Sequence, residues 1–138
     1  MNDLVSAGSF KEEKRCLEPS DIFLGGTVAI LSHKFDILDC DQYTFKYMEA
    51  NPNLWKYSNI SLINEKLLEK KEVIQKVILT YPSLQSKNIS VDELETVLVR
   101  SGLNLVKQEV YTLFRAVDVF RVGTVKLTKI LKYILELN

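Results

Sequence analysis

Asp118-Val119-Phe120-Arg121-Val122-Gly123-Thr124-Val125-Lys126-Leu127-Thr128-Lys129 is a twelve-residue stretch between two helical patterns. Upstream, Val110, Leu113, Phe114 and Val117 recur at three- and four-residue spacing within Val106–Val117. Downstream, Leu127, Ile130, Leu131 and Ile134 do the same within Leu127–Leu137. Gly123 stands in the middle, where a chain reversing between helices needs a residue free to adopt positive φ. The spacing predicts helix, loop, helix, with Asp118 as the loop's acidic residue.

The helical pattern extends upstream. Val91–Ser101 reads as a helix closed by Gly102, and Ile63, Leu67, Ile74, Val77 and Ile78 form one stripe of a helix over 61–80. That helix should stop before Tyr81-Pro82, since proline disfavours the α conformation in the residue before it. Residues 51–60, with Asn, Pro, Ser and Trp55, form the connection to a first half of different period. There Thr27–Leu31 and Phe35–Leu38 alternate with period two around Ser32-His33-Lys34, predicting a strand pair. Gly25-Gly26 lies just before the first strand, Asp41 suits a helix cap, and Gln42–Ala50 suits a short helix stopped at Asn51-Pro52. The expected class is α+β: residues 1–60 hold strands, a short helix and a linker, and residues 61–138 are helical.

The 138 residues carry 18 Lys+Arg and 18 Asp+Glu, are 46% apolar and 26% charged, and so match a globular average. A chain this long forms one domain or two small ones that support each other. Zero net charge removes the long-range attraction to nucleic acid or anionic membrane, and neither is expected as a partner. No apolar run approaches the ~20 residues needed to span a bilayer. Met1–Lys14 is polar and acidic, unlike a secretory leader. Cys16 and Cys40 read as reduced cytosolic thiols. Charge nevertheless divides along the chain: residues 1–60 hold 6 basic and 9 acidic side chains, and residues 61–138 hold 12 and 9.

The helical half, residues 63–138, resembles the linked EF-hands of the calmodulin superfamily. Such a loop has twelve positions, with oxygen ligands at 1, 3, 5, 7, 9 and 12, glycine at 6 and an apolar residue at 8. Aligned on Gly123, the second loop runs from Asp118 to Lys129 with Val125 at position 8. Its ligand positions instead carry Phe120, Val122, Lys126 and Lys129 at 3, 5, 9 and 12. One carboxylate remains where a hard dication takes six to eight oxygens, and the two lysines oppose an ion further, since even one unit-charge pair at ~4 Å costs about 4 kcal/mol at an effective dielectric near 20. The first loop, Pro82 to Glu93, has Ile89 at position 8 and Glu93 at 12, but Leu84, Ser86 and Lys87 at 3, 5 and 6. No calcium binding is expected at either loop. The resemblance implies that four helices surround an apolar core and that Ile89 and Val125 bridge the loops. Phe114 and Val117 could line a groove, and Phe120 and Val122, facing the side an ion would occupy, are candidates to contact a partner.

Asp21 to Ile30, Lys34 to Thr44 and Tyr47-Met48-Glu49 resemble the closing part of a DM-ten domain. The glycine, the Phe35-x-x-x-Asp39-x-Asp41 turn and the aromatic helix carry the likeness. In the ciliary EF-hand domain-containing family C, three such domains precede a C-terminal EF-hand region, so this chain resembles a short, C-terminal-like member. The β unit is partial: the family's opening strands are missing, and a strand pair alone leaves unpaired edges, so completion by packing on helix 61–80 or by a neighbouring chain is expected. The resemblance implies a non-enzymatic structural protein of the cilium or flagellum axoneme, in the cytoplasm and cytoskeleton. It would be a microtubule inner protein on doublet microtubules, with tubulin or other inner proteins as partners. The alternative is a regulatory subunit like an EF-hand light chain, gripping an amphipathic helix of an enzyme or motor.

Catalytic chemistry finds no constellation. His33 is the single histidine, which excludes a two-histidine zinc site within one chain, and a mixed site with Cys16, Cys40 and Asp39 ranks below a solvated turn histidine. Asp39 and Asp41 read as turn-former and cap. Gly25-Gly26 lacks the Lys-Ser/Thr of a phosphate loop, and no cofactor is expected. Of the aromatics Tyr43, Phe45, Tyr47, Trp55 and Tyr57, most are expected in the core, with Trp55 and Tyr57 as further partner-binding candidates.

Overall fold

The computed structural model describes residues 4–6, 18–80 and 87–137; Cys16, most of the polar opening segment, and Tyr81, Pro82, Leu84 and Ser86 of the first loop region lie outside these. The fold is α+β, and contacts divide it into two units, one of residues 1–59 with 106–108 and the other of the remainder.

In the first unit β2 (Thr27–Ile30) pairs antiparallel with β3 (His33–Asp36), Thr27 opposite Asp36 and Ile30 opposite His33. The hairpin turn is Leu31-Ser32, so His33 and Lys34 are strand residues instead of the turn residues expected. Both turn residues have positive φ, 51° and 68°, as two-residue hairpins of the primed type require. Glycine or asparagine usually marks such a turn; here two side-chain-bearing residues adopt a conformation that costs roughly 1–2 kcal/mol each. The expected strand pair is also a three-stranded sheet. The backbone of β1 (Leu4–Ser6) adds antiparallel to β2, with Val5 opposite Ala29. Three residues are too few to display a period, which hid this strand.

Ahead of the hairpin, Gly26 N–H donates to Phe23 O at 3.0 Å, closing a turn whose third residue, Gly25, has φ +89°. Gly25 N–H donates to Ile37 O, and Ile37 N–H donates to Gly26 O, both at 2.9 Å, so two glycines oppose one residue in a bulge. A Cβ on Gly25 would also lie 2.9 Å from Lys107 Cβ. Next to it, Leu24 and Gln108 exchange two bonds, Leu24 N–H to Gln108 Oε1 and Gln108 N–H to Leu24 O, both 3.0 Å.

Helix α1 (Gln42–Ala50) starts at Asp41, whose Oδ1 accepts from Thr44 N–H at 2.8 Å, as the cap reading requires. It buries Phe45 and Met48, three residues apart on one face. Tyr43 and Tyr47 fall on the other face and are exposed, which corrects their assignment to the core.

The second unit holds α2 (Ile60–Glu69), α3 (Lys71–Leu79), β4 (Asn88–Ile89), α4 (Val91–Arg100), β5 (Val125–Lys126) and α6 (Leu127–Leu135), with α5 (Lys107–Val117) entering at Glu109. The single helix expected over 61–80 is broken at Lys70, whose φ −111° and ψ 12° leave the helical range. Nothing local demands the break, because Glu69-Lys70-Lys71-Glu72 favours helix. Its outcome is packing: Ile63, Leu67, Ile74 and Ile78 are all fully buried in one cluster with Leu94, Leu98, Leu113, Leu127, Ile130 and Ile134. Phe114 and Val117 belong to the same cluster, so they are core residues and do not line an open groove. Gly102, at φ +81°, ends α4 as expected.

Candidate functional site

The two loops meet in a short antiparallel bridge, Ile89 opposite Val125 and Asn88 opposite Lys126, in the register the sequence predicts. Ile89 and Val125 are buried, so the bridge is anchored in the core.

In the first loop, residues 87–93 are described. Ser90 caps α4 and forms a capping box with Glu93: Ser90 N–H donates to Glu93 Oε1 at 3.0 Å, and Glu93 N–H donates to Ser90 Oγ at 3.4 Å. The second carboxylate oxygen, Oε2, lies 3.3 Å from the Lys87 ammonium. The Ser90 N–H chiefly, and then Lys87, hold the Glu93 carboxyl below its ordinary pKa. Lys87 stands at the glycine position and Glu93 at the bidentate position, so a cation of the chain faces the carboxylate that an ion would use.

In the second loop Asp118 is buried and acts inward. Its Oδ1 accepts from Val122 N–H and its Oδ2 from Gly123 N–H, both at 2.9 Å. Arg121, at φ +56°, donates from Nη1 to the carbonyl of Arg115 at 2.8 Å and to that of Asp118. A guanidinium thus satisfies carbonyls at the C-terminal end of α5, where cations are favoured. With its carboxylate and the adjacent carbonyls engaged by the chain's own donors, the loop is closed without a metal in its geometry. Among the described residues, no three His, Cys, Asp or Glu side chains gather.

The outer side of this loop is apolar. Phe120 is 84% and Val122 72% exposed, and Val119 is exposed beside them. With Asp118, Lys126 and Lys129 they line an open concavity of about 370 Å³. Among the described residues neither lysine has a carboxylate within ion-pair reach. Apolar side chains beside unpaired cations make a surface suited to protein contact, since a buried centre with a charged rim is how such interfaces are built. Val119 was not legible as a candidate, and the Arg121 cap had no sequence signal, because arginine rarely marks a left-handed position.

No family model matches the chain. It is 38% identical over 69 residues to the EF-hand domain-containing protein 1 of Mus musculus, a match covering 50% of this chain and 10% of that protein. It is 27% identical over 111 residues to EF-hand domain-containing family member C2 of Mus musculus, covering 77% and 15%. Against the family member C2 of Danio rerio it is 24% identical over 137 residues, covering 86% and 18%. The chain is thus similar, over part of its length, to EF-hand domain-containing proteins. Its matches span between 10% and 18% of the length of these relatives.

The remaining candidates lie in the first unit. Trp55 and Tyr57 are half-buried. The Trp55 ring meets Tyr47 edge-on at 5.4 Å, and the Tyr57 ring meets Phe23 at 4.6 Å with the Lys56 ammonium 5.0 Å from its centroid. Both rings help hold the unit together, so less of each is left to a partner than of Phe120. His33 is an exposed strand residue, and Asp39 Oδ1 accepts from Cys40 N–H at 2.8 Å, in a segment with no turn assigned to it.

Proposed function

We propose that this chain is a non-enzymatic structural protein of the ciliary or flagellar axoneme, a microtubule inner protein that stabilises doublet microtubules through protein–protein contacts. Tubulin or other inner proteins are the partners, in the cytoskeletal compartment of the cytoplasm, without nucleic acid, membrane or calcium. One observation carries the reading: the second loop keeps the EF-hand shape but turns Phe120 and Val122 outward from ligand positions, while Asp118 is engaged with backbone N–H groups. Such a loop presents an adhesive surface and has no built-in switch. The carboxylates weighed as a catalytic pair are engaged with backbone N–H groups, Asp41 as the cap of α1 and Asp39 with Cys40.

The rival reading, an EF-hand light-chain-like regulatory subunit, needs an apolar groove for an amphipathic helix; Phe114 and Val117, expected to line it, are core residues. The deciding experiment is a density map of intact doublets from ciliated cells, combined with salt extraction of axonemes. Density for this chain on the luminal wall and retention through high salt are expected. A freely extractable cytosolic pool with no luminal density would overturn the proposal.

A further inference from the structure

Among the described residues strand β3 is an open edge. Its partner β2 lies on one side, and all four of its residues are exposed. In a two-residue hairpin the pair nearest the turn, Ile30 and His33, exchanges hydrogen bonds, and so does every second pair after it. Val28 and Phe35 are therefore a bonded pair, and the ladder continues to Ile37, whose N–H and C=O both face the glycine bulge. The odd-numbered residues point their backbone groups inward to β2. Lys34 and Asp36 point theirs outward, and among the described residues nothing receives them.

Three apolar side chains flank this edge: Leu31, Phe35 at 50% exposure and Leu38 at 78%. Soluble proteins avoid such edges or cover them, because they template pairing with another strand. The side chains specify which strand. If a second copy of β3 lies antiparallel with Phe35 opposite its own twin, Lys34 falls opposite Asp36 of the second copy, and Asp36 opposite its Lys34. Both charge pairs are attractive, and both occupy positions with outward backbone groups, so each is also a hydrogen-bonded pair. Ser32 and Leu38 are the next such pair. Phe35 meets Phe35 at a non-bonded site, where opposing Cα atoms are closest and aromatic pairs pack well. Thr27 Oγ1 donates to Asp36 Oδ1 at 2.8 Å, which leaves Oδ2 for the second copy's lysine.

We propose that two copies of this chain associate through their β3 edges in a two-fold antiparallel pairing centred on Phe35. Seven residues per strand, 32–38, bury less than the ~1,600 Å² of a standard interface, so the association is weak and reversible. This surface is distinct from the second loop, and its test is independent of the ciliary assignment.

The test is sedimentation velocity on the full chain across a concentration series. A monomer–dimer equilibrium is expected. Lys34→Glu turns two attractive cross-strand pairs into two repulsive ones and should weaken the dimer about 10-fold. The double exchange Lys34→Glu with Asp36→Lys restores attraction with the signs reversed and should return the affinity to within about 3-fold of the original. The register is read separately by oxidising Phe35→Cys in a background with Cys16→Ser and Cys40→Ser. A covalent dimer is expected there, and none from His33→Cys, whose counterpart is Ile37. Circular dichroism on each variant shows that it is folded. A chain monomeric at several hundred micromolar, a dimer indifferent to Lys34→Glu, or equal cross-linking at 33 and 35 would each overturn the proposal.

Discussion

The Lys87 ammonium lies 3.3 Å from Glu93 Oε2, pairing the glycine position of the first EF-hand-like loop with its last ligand position. The charge that a bound ion would bring is thus supplied by the chain at the same carboxylate. In the second loop two backbone N–H groups engage the Asp118 carboxylate, and Arg121 engages the carbonyls of Arg115 and Asp118. In both loops the chain's own donors engage the carboxylate, and the described parts of the two loops meet in the bridge between Ile89 and Val125.

Removing the Lys87 charge should move the Glu93 titration. The Glu93 carboxyl sits below its ordinary 4.5 because of the Ser90 N–H first and Lys87 second. Carbon-detected NMR titration of Lys87→Ala should show the Glu93 pKa rising while staying under 4.5, since the larger cause persists. A value unchanged from the parent would mean that the ion pair does not persist in solution.

Calcium titration by calorimetry should give no saturable heat in the ~10⁻⁷–10⁻⁵ M range of sensor EF-hands. Restoring oxygens with Phe120→Asp, Val122→Asp and Lys129→Glu together should create a measurable site, because glycine and the bridge residue are already in place. A micromolar site in the parent chain would refute the ligand reading.

The bridge residue should matter far more to stability than the exposed one. Ile89→Ala removes buried methylenes and is expected to cost about 2–5 kcal/mol in urea unfolding. Phe120→Ala, at a solvent-facing position, should stay within about 0.5 kcal/mol. The opposite order would place Phe120 in the core and end its candidacy for partner contact.

Gln108 makes a different kind of demand. Its side-chain carbonyl is the acceptor for Leu24 N–H, and both residues are buried. Gln108→Leu leaves that donor without its partner and should cost about 1–3 kcal/mol. Hydrogen exchange localises the effect: the Leu24 amide should exchange faster than in the parent. Unchanged protection at Leu24 would rule the bond out.

Asp41 links the first unit to pH. Its side-chain bond with Thr44, and then the Thr44 backbone N–H, lower its pKa from 3.8. A depressed carboxylate pKa adds stability that is present above the unfolded value and is lost as pH falls through the folded one. Acid titration of unfolding should therefore show a component below about pH 4 that disappears in Asp41→Asn, which can cap but does not ionise. Persistence of that component in the variant would assign it to another carboxylate.

Much of the fold was legible because apolar residues recur at fixed spacing. The stripes ending in Val117 and beginning at Leu127 placed α5 and α6, Gly102 and Asp41 marked ends, and the loop alignment on Gly123 put Ile89 opposite Val125. Ligand loss was equally legible, since it is a matter of residue type. The break at Lys70 was not, because the local sequence favours continuation and only the fit of Ile74 and Ile78 against their neighbours opposes it. The Leu31-Ser32 turn escaped because neither residue is a usual positive-φ former, and a misplaced turn carried His33 and Lys34 with it. Tyr43 and Tyr47 show that an aromatic's identity says little about which face of a short helix it occupies.

Side-chain chemistry and its period along the chain were enough to establish helix-loop-helix pairs, a hairpin and two loops stripped of oxygen donors. Those properties are local, and each is settled within about one turn of its own residue. Which carboxylate meets which donor, and which strand edge stays open, depends on groups brought together across the chain: Leu24 with Gln108, Lys66 with Glu109 at 2.6 Å, β1 with β2. Hydrogen bonds and ion pairs act over a few ångströms, so their partners are chosen by how the core packs and not by proximity in sequence.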